Sequence, residues 1–204
     1  MKAHTRDTTK RKQKRTNILL AALHVFAKHG YEKARMKDIA LEAGIGKSTI
    51  YEYFKNKEEL FKELVDFLFR DLEEYTFTSV NPDAPPVDKI CSIITSFAEY
   101  MSRMPYGTVS ETMAITLDIF DQSIRTKIVD LRPIYQRESE ALVRIIQDGV
   151  RNNKIKTNIP PESIASIIVA FLDGLLTQWL LFPDQVDINK RVEEFCSLLR
   201  KGLG

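Results

Sequence analysis

The chain has 204 residues, 44% of them apolar and 28% charged. That balance excludes a disordered polyelectrolyte and suits one compact domain, or a small domain joined to a larger one. The net charge of +2 hides a split: residues 1–57 hold 14 Lys/Arg against 5 Asp/Glu, leaving 16 against 23 for the rest, so a basic segment faces a polyanion and the acidic remainder has another task.

Residues 1–15, with seven Lys/Arg and one Asp, read as a flexible basic arm. The arm serves either as a solubility tail or as a DNA contact entering an adjacent minor groove. No apolar segment follows its charges, so it is not read as a secretory signal. Without an export signal, Cys91 and Cys196 are expected as reduced thiols in a cytoplasmic protein.

Thr16 is the expected N-cap of a first helix, with Ile18, Leu19, Ala22, Leu23 and Phe26 at helical spacing and Gly30 as its stop. A short helix fits Met36 to Ala43, ended by Gly44. Only Ile45 and Gly46 separate it from a third, Lys47 to Phe54. Asn56 then caps a fourth helix, with Glu59 placed to reach back from the third helical position. The stretch SVNPDAPPVD, residues 79–88, is the strong linker signal. Beyond it helices are expected near 88–103, 108–120, 122–131, 133–152, 161–182 and 187–202, with Pro133 in a first turn and Pro160, Pro161 and Pro183 as breaks. No strand alternation and no repeat is visible, so the fold class is all-α. No uninterrupted apolar run reaches the ~18 residues of a membrane span; the longest candidate is broken by Asp173, Gly174, Thr177 and Gln178.

The letters GKS at 46–48 suggest a phosphate-binding loop, and two tests reject it. Leu41 stands where that motif needs its first glycine, and the preceding MKDIALEA is an amphipathic helix rather than a buried strand. Two short helices joined by a glycine-containing turn instead make a helix-turn-helix, whose second helix enters the DNA major groove. Lys47, Ser48 and Thr49 lie at the start of that helix. Tyr51 and Tyr53 carry phenol groups able to reach phosphates. Lys57 at the start of the fourth helix and Lys37 near the start of the second are further backbone contacts. Tyr51 can also be read as a packed tyrosine, and the lysines as solvated surface charges.

The stretch ALHVFAKHGYEKARMKDIALEAGIGKSTIYEYFKNKEELF resembles the DNA-binding domain of the tetracycline-repressor (TetR) family of transcriptional regulators, through F-A-x-x-G-Y, D-I-A, A-G-I, T-I-Y-x-Y-F and N-K-E-E-L. The likeness covers residues 16–64. Met36 departs from it, where the family has a Thr or Ser that donates to a phosphate, and so does Gly46, where Ser is common. The resemblance implies Lys47, Thr49, Tyr51, Tyr53 and Lys57 as DNA contacts, with Ser48 and Thr49 nearest the bases, and a homodimer on a palindromic operator. It also implies a helix-turn-helix domain over 16–57 and a helical ligand-binding and dimerisation domain over 58–204.

Within the acidic part, Ile164, Ile168, Phe171, Leu175 and Trp179 form one stripe of a helix, and Ala165, Val169, Leu172, Leu176 and Leu180 a second. Such a helix must be covered on several sides. Ser166, Ala170 and Gly174 form a small-residue row that lets another helix approach, including one from a symmetry mate. The last helix adds Phe195, Leu198 and Leu199 to this expected dimer interface, and the family's dimers pair their last two helices. Phe97, Tyr100, Met101, Met104, Met113, Phe120, Tyr135 and Trp179, with Asp173 as a carboxylate, are either core or the lining of a largely apolar ligand cavity; the resemblance favours some lining. Three His and two Cys without ligand spacing predict no metal site and no cofactor, and no catalytic arrangement is legible. The expectation is a DNA-binding repressor that a small effector releases from its operator, not an enzyme. A helix-turn-helix regulator without a small ligand is the alternative.

Overall fold

The computed structural model describes the backbone of residues 2–104, 106–120, 130 and 132–203; of these, the side chains of 2–9, 106, 114, 116–120 and 134 are not described. Every regular element among the described residues is helical: α1 Lys2–Lys33, α2 Met36–Glu42, α3 Lys47–Tyr53, α4 Lys57–Thr78, α5 Pro86–Arg103, α6 Tyr106–Phe120, α7 Arg132–Arg151, α8 Pro161–Leu181 and α9 Ile188–Leu203. The helix expected over 122–131 falls outside the described residues, apart from Asp130. Two compact units emerge, residues 1–69 with 107–130, and residues 70–106 with 131–204. The boundary expected at residue 57 is the start of α4, whereas the two units divide within that helix, after residue 69.

In the first unit, α1 begins well before Thr16. The arm expected to be flexible is helical from Lys2, continuous with the helix that carries the core. Extending an existing helix adds one hydrogen bond per residue without a new nucleation cost, and Lys, Arg and Gln are good helix formers. The helix is interrupted at Gly30, with φ 71° and ψ 160°, a conformation that favours glycine. α2 closes in a Schellman arrangement: Ile45 N–H donates to the Ala40 carbonyl at 2.9 Å and Gly44 N–H to Leu41 at 3.1 Å, with Gly44 at φ 66°. The core comprises Ile18, Leu23, Phe26, Ile39, Ile50, Phe54, Leu60, Phe61 and Leu64, all at 2% exposure or less. The Phe26 and Phe61 rings meet edge to face with centroids 5.0 Å apart, and Tyr31 meets Phe61 at 4.7 Å. Each such phenyl contributes roughly 1.5–3 kcal/mol by burial.

In the second unit, α5 packs against α9 and α7, α7 packs on α8, and α8 touches α9. α5 supplies Val87, Ile90, Cys91, Ile94, Ala98 and Met101, α9 supplies Ile188, Val192 and Cys196, and α7 supplies Leu142 and Ile146. Pro85 and Pro160 precede α5 and α8, each with proline in the first turn. Gly149 permits a close approach, since a Cβ there would lie 2.6 Å from Ile155 Cδ1 and 3.0 Å from Pro86 Cβ. Cys91 and Cys196, remote in sequence, face each other across α5 and α9 as free, buried thiols, each Sγ 3.9 Å from the other's carbonyl oxygen. α8 is long and apolar enough by composition to span a membrane; here Ile164, Ala165, Ile168 and Leu175 are buried within the bundle.

Candidate nucleic-acid interface

Gly46 stands at the N-cap of α3, where its backbone is extended (φ −67°, ψ 149°) and it offers no side-chain cap. The first-turn amides therefore keep no side-chain acceptor at that position and are available to an anion. Ile50 and Phe54 turn inward at 0% exposure and fix the helix on the core. That orientation leaves Lys47 and Ser48 exposed, Thr49 half-buried, and Tyr51 at 47% exposure. The packed-tyrosine reading of Tyr51 therefore does not hold in the single chain. Lys37 is exposed on the first turn of α2. Met36 beside it is buried, so this departure from the family pattern adds core rather than a phosphate donor.

Tyr53 and Lys57 have structural partners. The Tyr53 carbonyl accepts from Arg15 Nη1 at 2.9 Å, and the Arg11 guanidinium lies 5.9 Å from the Tyr53 ring centroid. Arg15 also makes a two-pronged ion pair with Glu63 and lies over the Phe54 ring, so one side chain joins α1, α3 and α4. The Lys57 ammonium donates to the carbonyls of Tyr31 at 2.7 Å and Glu32 at 3.1 Å. The ammonium carries three donors, and these two carbonyls engage two of them. Asn56 behaves as the sequence suggests: its Oδ1 accepts from Glu59 N–H at 2.8 Å, while Glu59 reaches back to Lys55 N–H at 2.7 Å, one residue beyond the usual reciprocal partner.

The residues offered for a ligand cavity come from several helices. Phe97, Tyr100, Met101 and Met104 lie on α5 or at its end, Met113 on α6, Tyr135 on α7, and Asp173 and Trp179 on α8; the Phe120 side chain falls outside the described residues. Met101 is buried, and the Tyr100 hydroxyl donates to Asp71 Oδ2 at 2.6 Å; burial and then this bond raise its pKa. Glu111, another carboxylate in an apolar helical segment, pairs with His24 Nδ1 at 2.7 Å. Sequence reasoning missed Glu138. Burial, then the charges of Asp173 and Glu73, push its carboxyl from 4.5 up to about 7, despite opposition from Arg137. Burial, with Asp173 and Glu138 adding, pushes the Tyr135 hydroxyl up to about 12. Asp173 is exposed as a whole residue, yet the atoms packed around its carboxyl raise its pKa by desolvation.

The small row of α8 looks outward in the single chain. Ser166 and Ala170 are exposed, and a Cβ on Gly174 would meet nothing within 4 Å. Ile167 at 57% and Leu198 at 66% exposure extend this apolar face onto α9, where Phe195 stacks on Phe171 with centroids 3.8 Å apart. Leu199 is half-buried beside them.

Known proteins match this arrangement in both parts of the chain. Residues 18–64 fit the model for bacterial regulatory proteins of the tetR family, and residues 115–202 that for the tetracyclin repressor-like C-terminal domain. The chain is 26% identical to the fatty acid metabolism regulator protein of Bacillus subtilis over 94% of its own length and 98% of the relative's. It is also 26% identical to the transcriptional regulator TtgR of Pseudomonas putida, over 89% and 87% respectively. The crystal structure of FadR from Bacillus subtilis in complex with stearoyl-CoA superposes with a TM-score of 0.75 at 23% identity, covering 93% of this chain and 99% of that one. The helix-turn-helix, the all-helical remainder and these likenesses agree: the chain belongs to the TetR family of transcriptional regulators.

Proposed function

We infer that the protein is a homodimeric repressor that binds a palindromic operator through α3 and is released by a small, largely apolar effector. The observation that carries the DNA part is the outward cluster of Lys37, Lys47, Ser48, Thr49 and Tyr51 on a helix-turn-helix fixed by buried Ile50 and Phe54. In this reading Ser48 and Thr49 approach base edges, while Lys37, Lys47, Tyr51, Tyr53 and Lys57 hold phosphates. The outward small row Ser166, Ala170, Gly174, with Phe195, Leu198 and Leu199, supports a partner helix on α8 and α9. Two copies place two recognition helices on two half-sites, which a single short helix needs to single out a genomic site.

For the effector, Phe97, Met104, Tyr135 and Trp179 supply half-buried aromatic and thioether surface in the second unit, and the FadR structure holds stearoyl-CoA. A long-chain acyl thioester is therefore the first compound to test. The effector releases DNA only by binding the non-DNA geometry more tightly. Selection of bound DNA from a random pool, repeated with a panel including long-chain acyl-CoA, should yield a palindrome whose recovery one compound abolishes. A pool with no enriched sequence would defeat the reading. The buried Met101 and the engaged Tyr100 hydroxyl favour a second reading, a regulator with a filled core and no small ligand; enrichment that no compound alters would support it.

A further inference from the structure

Because residues 2–15 are helical, the basic segment has a defined face. Arg11 and Arg15 lie one turn apart on α1, and both reach α3: Arg11 over the Tyr53 ring, Arg15 onto the Tyr53 carbonyl. Beside them Lys10 and Lys14 are one turn apart and exposed. Lys10, Arg11 and Lys14 line an open cleft whose other wall is Glu52 and Tyr53, at the end of the recognition helix. Like charges four residues apart destabilise an isolated helix. Among the described residues, Lys10 and Lys14 face no carboxylate in an ion pair, whereas Arg15 is fully engaged with Glu63. The face is thus a concentrated positive charge, and Glu52 is the one carboxylate among the described residues that lines its cleft.

We propose that Lys10, Arg11 and Lys14, together with the Tyr53 phenol, form a second DNA-backbone site, which seats a phosphate in the cleft between α1 and the end of α3. The inference rests on the DNA-binding reading and adds to it three side chains of α1, which lie outside the helix-turn-helix. Lysine serves such a site as a point charge, and Arg11 adds a planar donor fork already oriented by the Tyr53 ring. Glu52 repels a phosphate from its end of the cleft and so favours the lysine end. The occupant is a phosphodiester rather than a base edge, because three cations gathered on one open cleft match the charge that every DNA sequence presents along its backbone. Lys12 lies on the same helix but outside the cleft lining, so the site divides the basic residues by role: Arg15 holds the fold, Lys10, Arg11 and Lys14 hold DNA, and Lys12 does neither.

The test compares the full chain with Lys10→Gln/Lys14→Gln and with Lys12→Gln, on the selected operator and on random duplex, across a salt series. Glutamine keeps helix propensity, and an unchanged melting temperature verifies the fold. The double variant should flatten the slope of log K against log salt by about 0.9 for each phosphate that a half-site no longer has neutralised. It should weaken operator and random DNA by the same factor, with Lys12→Gln near wild type. An unchanged slope in the double variant overturns the site. Equal weakening by Lys12→Gln and the double variant also overturns it, because diffuse charge would then account for the effect. If wild type shows no preference for any sequence, the repressor reading fails, and the slope comparison on random duplex still decides this one.

Discussion

Tyr31 holds the Lys57 ammonium twice, through its carbonyl at 2.7 Å and through its ring, whose centroid lies 4.3 Å from Nζ. With the third contact to the Glu32 carbonyl, the start of α4 closes the carbonyl end of α1 just past the Gly30 interruption. Lys57→Met keeps the stem and removes the charge. It should lower stability to denaturant by about 1–2 kcal/mol in the absence of DNA. A denaturation midpoint equal to wild type would mean that these interactions contribute nothing to the free protein.

The exposed face of α3 is separable from its buried one. Lys47→Ala with Tyr51→Phe removes a cation and a hydroxyl without touching Ile50 or Phe54, so the melting temperature should stay close to wild type, as surface changes usually move stability by under about 0.5 kcal/mol. Specific DNA binding in a gel shift should disappear. Retained operator preference would remove these two residues from the interface.

Gly174 tests the paired-helix arrangement. In the single chain a side chain at this position has open space, and leaving glycine inside a helix gains roughly 0.5–1 kcal/mol. Gly174→Leu should therefore leave a folded chain of equal or higher helical stability while shifting sedimentation from dimer towards monomer. A variant that remains dimeric would place the partner helix elsewhere.

Glu138 gives the second unit a pH dependence with a definite sign. Its folded pKa of about 7 lies above its ordinary 4.5, so the folded state keeps a proton that the unfolded chain releases. Below about pH 4.5 the group contributes nothing; its cost grows as pH rises to 7 and is complete above that. Glu138→Gln should stabilise the protein at pH 8 by about 2 kcal/mol, allowing for screening on its open side, with the gain fading as pH falls towards 4.5. A gain of the same size at both ends of that range would show packing, not charge, to be responsible.

Much of the first unit was legible because its signals are local. Gly30, Gly44 and Asn56 act within one helical turn, and the inward residues of α1, α3 and α4 follow from spacing alone. The tertiary partners of individual charges were not legible. Lys57 gave no sign in sequence of its second role, because nothing nearby in the chain shows that the Tyr31 and Glu32 carbonyls lie against it. Glu138 gave no signal in the sequence because the charges that act on it come from α8, at Asp173, and from α4, at Glu73. The basic arm looked flexible because its composition lacks core residues, whereas its helicity follows from the core helix it extends.

Arg15 has a consequence for mutational tolerance. It meets the Glu63 carboxylate with two nitrogens, caps the Tyr53 carbonyl and covers the Phe54 ring, a geometry that a lysine cannot reproduce. A saturation library over residues 10–15 should thus be uneven in a way charge does not explain. Positions 10 and 14 should accept either basic residue, while position 15 should reject lysine as firmly as alanine.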